Sequence, residues 1–290
     1  MLSLHTNNAA LSAQNSISRT QSTLSTSMTR LSTGYRINSA MDDAAGLQIA
    51  SRLKAQTSGM TVAMRNTQNS TSMLQTAEGA LDEVSNMLIR MKDLATQAAD
   101  ASSTADDKTA MQAEYNALGQ ELGNVLKNTT FGGKTLLVGT ANDGTLRAGT
   151  LTFQIGASSS ETMGVSLSVA VSDVASAVSA ATANYSAAST GASELTGTNA
   201  NATIGRLETA LENVGTLRSG LGAAANRLEH VYNNLANIST NTKAATGQIM
   251  DVDFASESAN MTSNQMLLQA STAMLKQSNS MSSMVMSLLQ

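Results

Sequence analysis

Apolar and small residues recur in steps of three and four through Ile204, Leu207, Leu211, Val214, Leu217, Leu221, Ala224, Leu228, Val231, Leu235 and Ile238, and on through Ala245 to Ile249. Thr242 is the one polar occupant of that series. This near-heptad spacing, with no Pro, predicts a single helix roughly 70 Å long at 1.5 Å per residue. Its stripe needs covering by other helices. Residues 1–33 place Ala10, Ala13, Ile17, Leu24, Met28 and Leu31 on helical steps, with Gly34 set to act as a left-handed cap. Residues 42–99 read as a second helix whose best stripe is Leu74, Ala77, Leu81, Val84, Leu88, Met91, Leu94 and Ala98. Ser39 and Asp42 have capping-box spacing at its start. After Ala101-Ser102-Ser103, a second box at Thr104 and Asp107 opens a helix carrying Met111, Tyr115, Leu118, Leu122, Val125 and Leu126, ending near Asn128. Gly119 and Gly123 weaken it by about 1 kcal/mol each relative to Ala, which a close helix crossing would explain.

The period then shifts to two. Thr135 to Val138, Leu151 to Ile155 and Val165 to Val169 read as short strands between Gly-, Asn- and Ser-bearing turns. Residues 172–202, rich in Ala, Ser, Thr and Asn, read equally as loop or weak short helix. Asp251-Val252-Asp253-Phe254 forms a joint, and a last helix sets Leu267, Ala270, Met274, Met281, Met284 and Leu288 on one face. Both end helices are nearly free of charge: Lys276 is alone between Ser258 and Gln290, and Arg19 is the only charged side chain between His5 and Arg30. A solvated helix usually carries charge on its outer face. The ends are therefore expected to face protein on most sides, each other first and then neighbouring copies. The expected fold is mainly α: a long antiparallel coiled coil or helical bundle built from both chain ends, with a small β-hairpin region in the middle. The expected domains are residues 1–38 with 255–290 as a discontinuous inner coiled coil, and 39–254 as a helical middle layer that includes a β/loop insert at about 131–202.

Composition supports thin helical packing. Aromatics, which dominate most compact cores, are 2% of the 290 residues. A net charge of -4 argues against a nucleic-acid surface. The absence of Cys removes disulfides and thiolate chemistry, and the absence of Pro removes slow X-Pro isomerisation. The start of the chain has neither the basic region nor the apolar stretch of a secretory signal, and no 18-residue apolar run suggests membrane insertion.

No catalytic, cofactor or metal constellation emerges. Asp42 and Asp43 are neighbours on a helix start, about 100° apart around the axis, so they read as charges facing Arg30, Arg36 or Arg52 rather than as an acid/base pair. His5 and His230 have no ligand spacing around them and read as structural. The seven Met residues from Met250 onward read first as gap-fillers, and second as contacts adaptable enough to let packed tails shift register.

The stretch Arg30-Leu31-Ser32-Thr33-Gly34-Tyr35-Arg36-Ile37-Asn38-Ser39-Ala40-Met41-Asp42-Asp43-Ala44-Ala45-Gly46-Leu47 closely resembles the N-terminal signature of bacterial flagellins. The opening Asn7 to Gln14 is similar to that family as well. So are Phe131 to Leu137, Phe153 to Gly156, Leu221 to Glu229, Ile249 to Ala255 and Val285 to Leu289. The resemblance implies a non-enzymatic subunit of the flagellar filament. Such a chain leaves the cell unfolded through the flagellar type III exporter, ends up extracellular and pairs its termini into an inner tube. The implied partners are further copies of itself, an export chaperone, and cap and junction proteins. The short central region points to a form lacking large outer domains. Gly247-Gln248-Ile249 stands where the family often has Ser-Arg-Ile, and Met281-Ser282-Ser283-Met284 where it often has a Pro. Ile89 to Ala99 resembles the segment contacted by the flagellin-sensing Toll-like receptor, with Arg90, Leu94 and Glu114 at the matching positions. The expected subunit interface comprises Leu24, Arg30, Leu31, Arg36, Asp42, Asp43, Leu267, Met274, Met281 and Leu288. A hook–filament junction protein shares these ends and is the alternative. A signalling coiled coil would instead carry more continuous heptads and a membrane-spanning segment.

Overall fold

The computed structural model describes residues 7–138, 144–185, 193–196 and 199–288, with only the backbone at 282, 283 and 285–288. Its elements run α1 (Asn8–Thr33), α2 (Ala44–Ala99), α3 (Ala105–Asn128), β1 (Thr130–Phe131), β2 (Lys134–Thr135), β3 (Thr150–Gln154), β4 (Thr162–Ser166), α4 (Ser168–Ala181), a one-turn 3₁₀ helix (Ala183–Tyr185), α5 (Asn199–Met250) and α6 (Phe254–Leu288). The fold is mainly helical with two small antiparallel strand pairs, β1 with β2 and β3 with β4. The chain divides into two compact units, one of residues 1–57 with 240–290 and one of residues 58–239.

The larger unit has the core. Every member of the α2 stripe from Leu74 to Ala98 is buried, as are Leu207, Val214, Leu217, Leu221, Ala224 and Leu228 of α5. One hydrophobic cluster joins them to Tyr115 and Leu122 of α3, Phe153 and Val165 of the β3–β4 hairpin, and Val171, Val174 and Val178 of α4. Here α2 and α5 run antiparallel. Lys92 pairs with Glu208 at 2.9 Å and Asp82 with Arg218 at 3.0 Å, while Met60 and Ala63 pack with Leu235. The expected α5 seam slips at its far end, where Ser239 is buried and Ile238 exposed.

The helix ends follow local chemistry. Thr104 and Asp107 form a complete capping box at the start of α3. The start of α2 differs from the expected box. Asp43, not Ser39, caps it, its Oδ1 accepting from the Gly46 amide at 2.8 Å. Asp42 instead closes a turn by accepting from the Asn38 and Ser39 amides. Gly119 and Gly123 are crossed closely, though not by a long helix: a Cβ on Gly119 would meet Thr182 Oγ1 at 2.6 Å, and one on Gly123 the Tyr185 carbonyl oxygen at 2.6 Å. Of the expected strands, β3 matches closely, whereas Leu136 to Val138 are buried outside any strand. Leu167 to Val169 lead into α4 rather than extending β4. The undecided stretch begins as the rest of α4 and the 3₁₀ turn, while its residues 186–192 and 197–198 lie outside the described set.

Candidate assembly surface

In the smaller unit, α1 and α6 lie antiparallel. Asn7 Nδ2 donates to the Ser278 carbonyl and hydroxyl oxygens at 3.3 and 3.2 Å, and at the other end Arg30 Nη1 lies 3.9 Å from Glu257 Oε2. The stripes that meet are only half-buried: Ala10, Ala13, Ile17, Thr20, Leu24 and Leu31 on α1, and Met261, Asn264, Leu268, Ser271, Leu275 and Ser278 on α6. Polar residues fill half of the α6 stripe. Ser27 is the one buried residue of α1, and among the described side chains of α6 only Glu257 is buried. This pair has no dry core.

A second stripe on α6 points away from α1. Leu267, Met274 and Met281, seven residues apart, are 55%, 69% and 58% exposed, and Met266 and Met284 flank them. Met28, expected within the α1 stripe, is also exposed. Isolated surface apolar residues are ordinary, but a heptad row on a helix almost free of charge is the mark of an interface.

The joint between these helices is a small ladder. Gly34, with φ of 76°, caps α1 in the left-handed region. From there the Val252 amide donates to the Gly34 carbonyl at 3.0 Å, the Arg36 amide to the Met250 carbonyl at 2.6 Å, and Arg36 Nη2 to the Ile249 carbonyl at 3.0 Å. Arg30 stands 3.9 Å from Asp42 Oδ1 as well as from Glu257. Asp42 has a pKa held below the usual carboxylate value, first by the Ser39 and Asn38 amides and then by the Ser39 hydroxyl and Arg30. Asp253 is lowered by the Ser256 hydroxyl and the Ala255 amide at the start of α6.

The structure thus gathers Arg30, Arg36, Asp42 and Asp43 about the joint, places Leu24 and Leu31 on the half-buried stripe facing α6, and leaves Leu267, Met274 and Met281 outward. The Leu288 side chain is outside the described set. In the larger unit Arg90 and Glu114 form a forked pair, with Nε and Nη2 at 2.8 and 2.6 Å from Oε1. Leu94 is 3% exposed and belongs to the core, so it presents nothing to a partner. His5 lies outside the described residues, and His230 is exposed on α5. Among the described residues no group of three His, Cys, Asp or Glu could hold a metal, and no helix is long and apolar enough to cross a membrane.

Comparison with known proteins agrees with this layout. Residues 4–142 match the bacterial flagellin N-terminal helical region and residues 204–289 the bacterial flagellin C-terminal helical region. A flagellin from Halalkalibacterium halodurans is 39% identical, covering 91% of this chain and 90% of that one. The Bacillus subtilis flagellin is 36% identical over 98% of each. Flagellin A of Vibrio anguillarum is 34% identical over 100% of both chains, but the alignment spans 385 residues, so the Vibrio protein carries insertions that this chain lacks. Among solved structures, a flagellar hook-associated protein from Vibrio parahaemolyticus shares the fold alone, at 16% identity and a TM-score of 0.55, covering 72% of this chain and 100% of the other. With both end regions matched and relatives above 30% identity along nearly its whole length, the chain belongs to the bacterial flagellin family.

Proposed function

We propose that this chain is a structural subunit that polymerises into the extracellular flagellar filament. It is exported unfolded by the flagellar type III system and completes its folding only on assembly. Residues 1–38 with 255–290 form the inner layer in this reading, and 39–254 the middle layer. The observation that carries it is the absence of a dry core between α1 and α6 beside an outward row of Leu267, Met274 and Met281. Ordering a residue costs about 1–2 kcal/mol of backbone entropy. Half-buried contacts rich in Ser, Thr and Asn do not offset that cost over two helices of 26 and 35 residues. Burying the outward row against further copies supplies the missing apolar area. Export chaperone, cap and junction proteins are the other partners of such a subunit, and the exposed Arg90–Glu114 pair is its candidate contact with the flagellin-sensing Toll-like receptor.

Limited proteolysis tests the reading. Monomer should lose both ends quickly and keep a resistant fragment near residues 58–239, and polymer grown from filament seeds should protect the ends. Monomer ends as resistant as the core would refute it. The fold shared with a hook-associated protein keeps a junction role as the second reading. Seeded growth separates the two, because a filament subunit gives long tubes and a junction protein stops after short caps.

A further inference from the structure

In the larger unit, two polar side-chain atoms are sealed from water without a hydrogen-bond partner among the described residues: Tyr185 Oη and Arg147 Nη1. Tyr185 is only 9% exposed and belongs to the apolar core. The path of the chain brings the two groups together. α4 ends at Ala181, whose carbonyl meets the Tyr115 hydroxyl. The following turn doubles back along α3, with Thr182 against Gly119 and the Tyr185 carbonyl against Gly123. Tyr185 thus returns towards the earlier turns of α4, where Ser172 Oγ accepts from Arg147 Nε at 3.3 Å. Burial raises the pKa of the Tyr185 phenol and the Arg147 charge opposes that rise, so the two groups are within electrostatic reach.

What these groups lack in common is an acceptor. A guanidinium only donates, and Arg147 forms no ion pair among the described residues. The Ser172 hydroxyl accepts from Arg147 and keeps its own proton to give. A second cation, Lys127, stands with Nζ 5.2 Å from the centre of the Tyr185 ring and donates to the Tyr185 carbonyl at 3.0 Å. A buried donor without an acceptor is destabilising, and a buried charge without a counter-charge more so. Water would satisfy the donors but leave the guanidinium charge uncompensated, whereas an anion does both. The donors come from one guanidinium edge and two hydroxyls, and Val171 and Val174 beside Ser172 are buried in the apolar cluster. Such a setting suits one compact anion. Phosphate, more highly charged and with more oxygens to satisfy, asks for more donors than these residues offer.

We propose that Arg147, Tyr185 and Ser172 form a binding site for a halide-sized anion, which ties the turn carrying Arg147 to α4 and to the 3₁₀ turn. The site is internal to one chain, so it stands or falls independently of the filament reading. The test is melting of the full-length monomer in sodium gluconate, replaced stepwise by sodium chloride at constant ionic strength, together with the chloride NMR line width. Expected for the wild type are a saturable rise in melting temperature with chloride, the same rise with bromide, none with phosphate, and a broadened chloride line. Tyr185→Phe should raise the chloride midpoint about tenfold, because a hydrogen bond to a charged group is lost. In gluconate alone this variant should melt at or above the wild-type temperature, since it removes a buried hydroxyl that has no other partner. Arg147→Gln should abolish both chloride effects. A wild type that melts alike in chloride and gluconate and leaves the line sharp overturns the site. So does an equal response to phosphate, which marks general screening, or a chloride midpoint unchanged in Tyr185→Phe. Should Arg147→Gln fail to fold, the Tyr185→Phe midpoint decides alone.

Discussion

The Tyr115 hydroxyl, sealed from water in α3, donates to the Ala181 carbonyl oxygen at 2.8 Å and so ties the end of α4 to the core. Tyr115→Phe should cost about 1–2 kcal/mol in urea unfolding, because the phenol's partner is left buried without it. Burial pushes this phenol's pKa well above its usual 10.0, with the Glu194 charge adding to the shift and Arg206 opposing it. A raised folded-state value stabilises fully below the unfolded value and is lost as pH climbs past it, so the wild type should weaken above pH 10 and the Phe variant less steeply. Asp42 and Asp253 behave in the opposite sense. Their lowered values stabilise the joint at neutral pH, and that contribution disappears as pH falls through the carboxylate range. Acid should therefore loosen the joint, as read by protease sensitivity near residues 34–42, and Asp42→Asn should flatten that response. The exposed Arg90–Glu114 pair is worth little to stability, about 0–1 kcal/mol. Arg90→Ala should leave melting nearly unchanged, so any fall in a receptor reporter assay would report on a lost contact rather than on unfolding.

At the level of elements, the long helices could be read from sequence with good fidelity because their apolar spacing is unbroken and their packing follows it. The α2 stripe from Leu74 to Ala98 is buried at every position. Short elements were harder to read because neighbours rather than propensity decide them. Leu136 to Val138 have strand-forming composition, yet they bury as irregular chain beneath α3, where the Val138 amide donates to the Leu126 carbonyl. Ser39 and Asp42 have box spacing, but it is the Asp43 side chain that captures a free amide of α2, that of Gly46. The outward row on α6 is visible in the sequence as a face, while its role follows from the adjacent row, through Leu268 and Leu275, being the half-buried one. At this scale Thr104→Ala should cost about 1 kcal/mol, detectable as earlier melting, since it removes the capping box that starts α3.

On the scale of the whole molecule, the two units differ in what holds them. Residues 58–239 enclose a continuous apolar cluster, whereas the pair of end helices meets through half-buried stripes. Replacing Leu267, Met274 and Met281 together by Gln should leave the melting of the larger unit unchanged and abolish seeded growth. Loss of both would show that the outward row supports the monomer rather than the polymer.

The Asn7–Ser278 contact carries a consequence for timing. Those residues are 271 positions apart, so under the unfolded export proposed above the end helix that leaves first would find its mate only when nearly all the chain has followed. Contacts of such long range close late. If the chain is exported unfolded as proposed, the leading end would stay pliable during its passage, with the trailing end as a release catch for the pairing of α1 with α6.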